Sequence, residues 1–95
     1  MINKQQILNI LKDKKDAFNI DNFVLFGSYS TGNDNINSDV DIAYILKENC
    51  KLNFDRYIEL ENELQNSLKQ SIDLMNFKKL NPLVKLHAQK DFIYV

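Results

Sequence analysis

Two aspartates, Asp39 and Asp41, lie two positions apart in a short run of strand-forming residues. Successive side chains of a strand point to opposite faces, so both carboxylates project from the same face of the predicted sheet. Two like charges this close together are unfavourable on a half-buried face unless a cation binds between them or one carboxylate takes up a proton. Carboxylate oxygens suit Mg²⁺ or Mn²⁺, so the pair predicts a divalent-metal site.

A Gly-Ser pair, Gly27-Ser28, follows an apolar run at residues 23–26 and precedes the two aspartates. The apolar run predicts a buried strand, and a helix is expected to begin at the turn. Glycine lets the backbone approach an oxyanion closely, and the free N–H groups of a helix N-terminus attract negative charge. The Ser28 hydroxyl adds a further donor. The pair therefore predicts phosphate binding beside the metal, although a Gly-Ser pair alone is more often an ordinary turn.

A third carboxylate, Asp73, lies in another short alternating run over residues 71–77. Ile72 and Leu74 share one face of this predicted strand, and Asp73 shares the other with Met75. An acidic residue in such a run is costly to bury without a partner. Asp73 is therefore expected either to face water at a sheet edge or to join the metal-binding pair.

Two helices are predicted to frame these strands. Asn3 and Gln6 have the spacing of a capping box at the start of a helix over residues 4–16. A second helix is expected to run from Asn53 to about Lys69, and a shorter one to follow Pro82. The apolar stripe expected to pack the second helix on the sheet comprises Phe54, Tyr57, Ile58, Leu64 and Leu68. The predicted fold class is α/β (α+β), a small mixed sheet with helices mainly on one face and the other face partly open for substrate.

The composition is that of an ordinary soluble globular protein, with 44% hydrophobic and 26% charged residues. A length of 95 residues predicts a single domain over residues 1–95. The formal charge of -1 provides no electrostatic footprint for direct nucleic-acid binding. The single cysteine, Cys50, and the lack of a secretory segment or long apolar stretch predict a cytoplasmic protein that does not enter membranes.

A calcium-binding loop is the main competing interpretation of the acidic run. An EF-hand loop beginning at Asn37 would place Asp39 and Asp41 at ligand positions 3 and 5. Such a loop requires glycine at its sixth position, where this chain has Ile42 within a run of strand formers. Residues 33–37 are therefore better interpreted as an exposed connection before the second strand.

The order of these motifs, from Gly27-Ser28 through Gly32 and the run Ser38 to Ile42 to Asp73, resembles the active-site pattern of the nucleotidyltransferase superfamily related to DNA polymerase beta. The short length resembles the minimal nucleotidyltransferases (MNT) in particular. The resemblance covers almost the whole chain, including the apolar run at residues 92–95, and implies the polymerase beta-like fold. It also implies that a nucleoside monophosphate passes from a triphosphate to a hydroxyl group, with pyrophosphate leaving.

The resemblance implies a role for each site residue. Asp39 and Asp41 would coordinate two Mg²⁺ ions that bridge the triphosphate of ATP. Gly27 and Ser28 would bind its distal phosphates. Asp73 would bind the catalytic metal and help to deprotonate the acceptor hydroxyl.

One position departs from the family pattern. Thr31 stands just before Gly32, where family members often carry Arg or Lys. The departure predicts weaker nucleotide binding or a slower reaction, and it leaves open a protein that binds without catalysis. Lys78 and Lys79 could supply the missing positive charge, although two lysines beside a loop are more often ordinary surface charges.

Many minimal nucleotidyltransferases are antitoxins that modify a tyrosine of a helical HEPN ribonuclease toxin with AMP. The resemblance implies the same reaction here, with a HEPN toxin as partner in a hetero-oligomer. Two other functions stay open: a non-catalytic antitoxin that masks its toxin by binding, and an aminoglycoside-type enzyme that modifies a small molecule. The drug-modifying enzymes usually carry an additional helical domain.

Overall fold

A computed structural model describes residues 3–27 and 39–95. Within those ranges the chain forms three α-helices and a four-stranded sheet, with short 3₁₀ turns between several elements. In chain order the elements are α1 (Lys4–Lys14), β1 (Ile20–Phe26), β2 (Val40–Leu46), α2 (Phe54–Leu68), β3 (Ile72–Asn76), α3 (Pro82–Ala88) and β4 (Ile93–Tyr94).

The sheet has the strand order β3-β2-β1-β4. Strand β1 pairs antiparallel with both β2 and β4, whereas β2 and β3 run parallel. The prediction of a small mixed sheet is thus confirmed. The apolar run near the end of the chain provides β4, and Val95 extends that pairing by exchanging two backbone hydrogen bonds with Phe23, at 2.8 and 3.2 Å.

Helices α1 and α2 cover one face of the sheet, as predicted. Ile7 and Leu11, one helical turn apart, are fully buried from α1, and Leu60, Leu64 and Leu68 form the buried stripe of α2. They pack against alternate strand residues that point to this face, namely Phe23, Leu25, Val40, Ile42, Tyr44, Ile72 and Leu74. This larger core fixes the orientation of the strands.

Two predictions about the helices are corrected, one about where α1 ends and one about the packing of Phe54. The first helix ends at Lys14 rather than residue 16, because a 3₁₀ turn over Asp16–Phe18 leads the chain into β1. Phe54 does not pack on the sheet but is 74% exposed. As the first residue of α2, it lies six positions before Leu60, where the buried stripe begins.

The opposite face of the sheet carries a second, smaller apolar cluster. Its buried members are Val24, Phe26, Ala43 and Leu80, joined by partly buried Ile45, Met75, Phe77 and Phe92. Edge-to-face contacts link the rings of Phe26 and Phe77 to that of Phe92, with centroids 5.8 and 5.7 Å apart. This cluster covers only part of the face, and the strand alternation places Asp41 and Asp73 on the same face.

Both long helices begin at an asparagine that caps them. Asn3 Oδ1 accepts a hydrogen bond from Gln6 N at 2.8 Å, and Gln6 Oε1 accepts one from Asn3 N at 3.0 Å, which confirms the capping box. Asn53 Oδ1 likewise accepts a hydrogen bond from Arg56 N at 2.8 Å. Within the described ranges, none of the helices combines the length and apolar character needed to cross a bilayer.

Substitution of Asn53 tests whether its side chain stabilises the start of α2. Asn53→Ala removes the acceptor for Arg56 N, and we expect it to lower the free energy of unfolding by about 1 kcal/mol. Asn66→Ala, an exposed substitution within the same helix, is the matched control and should cost nothing, because alanine favours the helix interior. Chemical denaturation of both variants measures the difference. Equal stability of the two variants would show that the cap contributes nothing.

Candidate active site

The strand register brings the predicted motifs to one end of the sheet. Phe26, the last residue of β1, pairs with Asp41 of β2, and Asp41 pairs in turn with Asp73 of β3. Gly27 directly follows Phe26, and Asp39 directly precedes β2. The end of β1 and the beginnings of β2 and β3 therefore converge, with Asp41 at the centre.

The charge on Asp41 is unfavourable in this arrangement. Burial, then the negative charge of Asp73, then that of Asp39 raise the pKa of the Asp41 carboxyl to about 6. Asp41 is half-buried, whereas Asp39 and Asp73 are exposed. The negative charges of both other carboxylates thus repel the charge of Asp41, and a bound cation would relieve that repulsion.

Gly27 lies against the Asp41 carboxylate. Its φ of +76° is in the left-handed region that side-chain-bearing residues rarely adopt. A Cβ at Gly27 would overlap Asp41 Oδ2 and approach Asp41 Cγ to 3.0 Å. Both the backbone conformation and the close approach therefore require glycine. Gly27, the first residue of the predicted phosphate-binding pair, thus lies directly against Asp41, the predicted metal ligand.

The donor set suits a magnesium–nucleotide complex better than a free metal ion. Within residues 3–27 and 39–95, the acidic, histidine and cysteine side chains form no group of three or more that could hold a metal ion by themselves. Mg²⁺ is usually held by one or two carboxylates together with substrate phosphates, rather than by a cage built only from protein. Asp39, Asp41 and Asp73 therefore remain a predicted metal site, to be completed by the oxygens of a phosphate ligand.

Several predicted features lie outside the described residues. They are Ser28, the helix expected to begin at the Gly-Ser turn, Thr31 and the polar connection at residues 33–37. The roles assigned to them stay predictions.

The prediction that Lys78 supplies a positive charge to the site is wrong. Asp73 is the second residue of β3, whereas Lys78 follows the other end of that strand. Lys78 lines a cavity there with Leu46, the last residue of β2, and Lys47, which follows it. Three residues of strand alone span roughly 10 Å, so Lys78 lies well away from the carboxylates. Lys79, next in the same turn, is exposed.

Sequence reasoning missed the contact between Gly27 and Asp41. The alternation of apolar and polar residues assigns Asp41 to a face but does not say which residue of β1 lies opposite it. The register of the β1–β2 pairing places Phe26 opposite Asp41 and so brings Gly27 to it. Local sequence does not reveal this register, because residues 28–38 separate the two strands along the chain.

The raised pKa of Asp41 predicts a pH-dependent penalty on stability. Since the folded protein binds this proton more tightly than the unfolded chain, the free energy of unfolding falls as pH rises from about 4 to about 6. We expect Asp41→Asn to remove that fall. In metal-free buffer the variant should be more stable at pH 7.5, by on the order of 1 kcal/mol once solvent screening of a half-exposed group is allowed for. At pH 3, where the carboxyl is protonated in both states, the advantage should vanish. Urea denaturation at the two pH values measures it, and an equal advantage at both would contradict this cause.

Comparisons with known proteins agree with this geometry. The chain matches the family described as "Polymerase beta, Nucleotidyltransferase" over residues 5–95. It is 39% identical over 82 residues to a Methanocaldococcus jannaschii protein named "Putative protein adenylyltransferase MJ1379", covering 85% of this chain and 82% of that one. It is 30% identical over 83 residues to protein adenylyltransferase MntA of Shewanella oneidensis, covering 87% of this chain and 57% of that longer protein.

Two solved structures share the fold. A toxin-antitoxin crystal structure with AMP-PNP has a TM-score of 0.66 and 26% identity, covering 95% of this chain and 78% of that one. The complex of a tri-AMPylated Shewanella oneidensis HEPN toxin with an MNT antitoxin has a TM-score of 0.62 and 22% identity, covering 96% of this chain and 66% of that one.

The fold is that of the nucleotidyltransferase class. The chain belongs to the polymerase beta nucleotidyltransferase family, since the family match spans nearly all of its length. The resemblance noted from the motif order is therefore confirmed, and so is the predicted fold.

Proposed function

We propose that this protein transfers AMP from ATP to a tyrosine hydroxyl of a HEPN ribonuclease toxin, and thereby neutralises the toxin. The observation that carries the proposal is the register that places Asp41 between the Gly27 turn and Asp73. Gly27, which we assign to phosphate binding, lies against a carboxylate whose charge a cation would stabilise, and nucleotidyl transfer needs both functions at one place.

Each residue has a separate task in the proposed reaction. The turn at Gly27 brings the backbone close to the phosphates, while Asp39 and Asp41 provide oxygen ligands on the same sheet face. Two Mg²⁺ ions, when bound, would neutralise the triphosphate and stabilise the entering and leaving oxygens. Asp73, exposed near the beginning of the neighbouring strand, would accept the proton of the incoming hydroxyl.

Named relatives support the acceptor. The Shewanella oneidensis relative at 30% identity is a protein adenylyltransferase, and an MNT antitoxin of the same fold is known in complex with an AMPylated HEPN toxin. Among the described residues Asp39 and Asp73 are exposed, so a protein acceptor can approach these carboxylates. We therefore propose that the protein forms a hetero-oligomer with such a toxin. We also propose that it acts in the cytoplasm, where ATP and the toxin are available.

A ribonuclease assay separates catalysis from masking. The purified toxin is incubated with this chain, ATP and Mg²⁺, the chain is then removed under denaturing conditions, and the refolded toxin is assayed on RNA. We expect ribonuclease activity to stay low only when ATP and Mg²⁺ were both present. Added AMP brings a phosphate charge and a bulky base to the site that must admit RNA.

The alternative functions give different results in this assay. A masking antitoxin would inhibit without ATP, and the toxin would recover once the chain is removed. An aminoglycoside-type enzyme would leave the toxin active and would consume ATP only when offered the drug. Either result would overturn the proposed function.

A further inference from the structure

A tyrosine of α2 is bonded to the strand that carries Asp73. The hydroxyl of Tyr57 donates a hydrogen bond to the backbone carbonyl of Leu74 at 2.6 Å. Tyr57 lies in the first turn of α2, where its own N–H bonds to the carbonyl of the capping residue Asn53 at 2.9 Å. Its ring packs against the larger core beside Tyr44, with ring centroids 6.4 Å apart. The hydroxyl therefore extends from a well-anchored helix.

The carbonyl that Tyr57 binds is one that the sheet leaves unpaired. Val40 N donates to the carbonyl of Ser71 at 3.0 Å, so the backbone groups of residues 71, 73 and 75 point toward β2. Those of Leu74, on the alternate position, point away from β2. Because β3 is an edge strand among the described residues, that carbonyl has no strand partner, and Tyr57 supplies the missing donor.

Asp73 is the immediate neighbour of this anchored carbonyl. Burial first, and then the charge of the neighbouring Glu61, which also interacts with this hydroxyl through a hydrogen bond, raise the pKa of the Tyr57 hydroxyl. The charge of Asp73 is a smaller cause of the same shift. Asp73 itself is exposed, on a strand of five residues at the edge of the described sheet.

We propose that Tyr57 is a positioning residue, which holds the edge strand at Leu74 and thereby fixes Asp73 opposite Asp41 for nucleotidyl transfer. The expected effect on the rate of AMP transfer rests on the proposed function. The expected effect on the position of β3 does not. Tyr57 bonds to Leu74 rather than to Gly27 or Asp41, so its effect should fall on turnover rather than on nucleotide binding.

Tyr57→Phe is the variant that tests the role, because it keeps the ring and removes the hydrogen bond. We expect kcat for AMP transfer to fall about fivefold, the factor set by one net hydrogen bond, while KM for ATP stays unchanged. Tyr94→Phe makes the same chemical change on β4, at the opposite edge of the sheet, and should leave both constants unchanged. A rise in KM with kcat preserved would overturn the proposal.

A double substitution shows whether Tyr57 acts through Asp73. In an Asp73→Asn background, adding Tyr57→Phe should cause no further loss of rate, since the group it positions is already gone. Ile7→Val, which removes one methyl group from the part of the core that α1 provides, should have the same small effect in both backgrounds. Full additivity of the Tyr57 and Asp73 substitutions would contradict the proposed role.

Hydrogen exchange tests the structural part without any activity. In Tyr57→Phe the amides of Asp73 and Met75 should exchange faster, by about fivefold or more, while the amides of β1 keep the rates of the parent protein. Unchanged exchange at Asp73 and Met75 would overturn the inference even in an active protein. A parent chain that transfers no AMP would overturn the proposed function instead, and the exchange rates would then decide the role of Tyr57 on their own.

Discussion

Asp41→Asn should lower the rate of AMP transfer by about 100-fold or more. Asp41 is the central carboxylate of the site, in register with Asp73 and in contact range of the Gly27 turn. An amide in its place keeps the shape but removes the negative charge that a magnesium–triphosphate complex needs. Losses of this size are typical when one preorganised electrostatic group is removed from an active site.

The same substitution is expected to stabilise the metal-free protein, because it removes a charge whose pKa is raised to about 6. Loss of activity together with greater stability would exclude unfolding as the cause. Asp21→Asn is the matched control, since Asp21 is exposed near the opposite end of β1 and should not affect transfer. Labelled ATP and the toxin partner provide the rate. A folded Asp41→Asn protein that retains the parent rate would remove Asp41 from the mechanism.

Gly27→Ala should weaken binding of the ATP analogue AMP-PNP at least about tenfold and also destabilise the fold. The positive φ alone costs about 1–2 kcal/mol for a residue with a side chain. The new methyl group would in addition overlap Asp41 Oδ2, so the carboxylate or the turn must move. Each ~1.4 kcal/mol lost from the nucleotide complex weakens binding tenfold.

Asn49→Ala separates these two effects. Asn49 also has a positive φ, of 64°, but it follows the far end of β2. We expect it to lower the free energy of unfolding by about 1 kcal/mol without changing nucleotide affinity. Calorimetric titration with AMP-PNP and Mg²⁺ compares the variants. If the two alanines weakened binding equally, backbone strain rather than the contact with Asp41 would be the cause.

The sequence could predict which strand residues share a face of the sheet. It could not predict which strands pair with one another. The alternation correctly assigned Asp41 to the face opposite Val40 and Ile42, and Asp73 to the face opposite Ile72 and Leu74, because the side-chain period of a strand is two. Pairing depends on distant segments, so the short strand β4 and its bonds to β1 could not be derived from two residues of local pattern. Resemblance to a known motif order supplied the fold where local pattern did not.

Side-chain placement failed where tertiary contacts overrode periodicity. Phe54 fits the helical stripe of α2 in sequence, yet it lies at the first residue of the helix, beyond the reach of the sheet. Lys78 is close to Asp73 along the chain, but β3 carries it to the other end of the sheet. The hydrogen bond of Tyr57 to Leu74 was equally invisible, since a tyrosine in an apolar stripe gives no sign of what its hydroxyl reaches.

The mass of the toxin partner after reaction is the most direct test of the whole account. Intact-mass spectrometry should show the toxin heavier by one or more AMP units after incubation with this chain, ATP and Mg²⁺, with the modification on a tyrosine. Chelation of Mg²⁺ or the Asp41→Asn substitution should abolish the adduct. A toxin that is neutralised with no change in mass, equally well by the parent chain and by Asp41→Asn, would contradict the account.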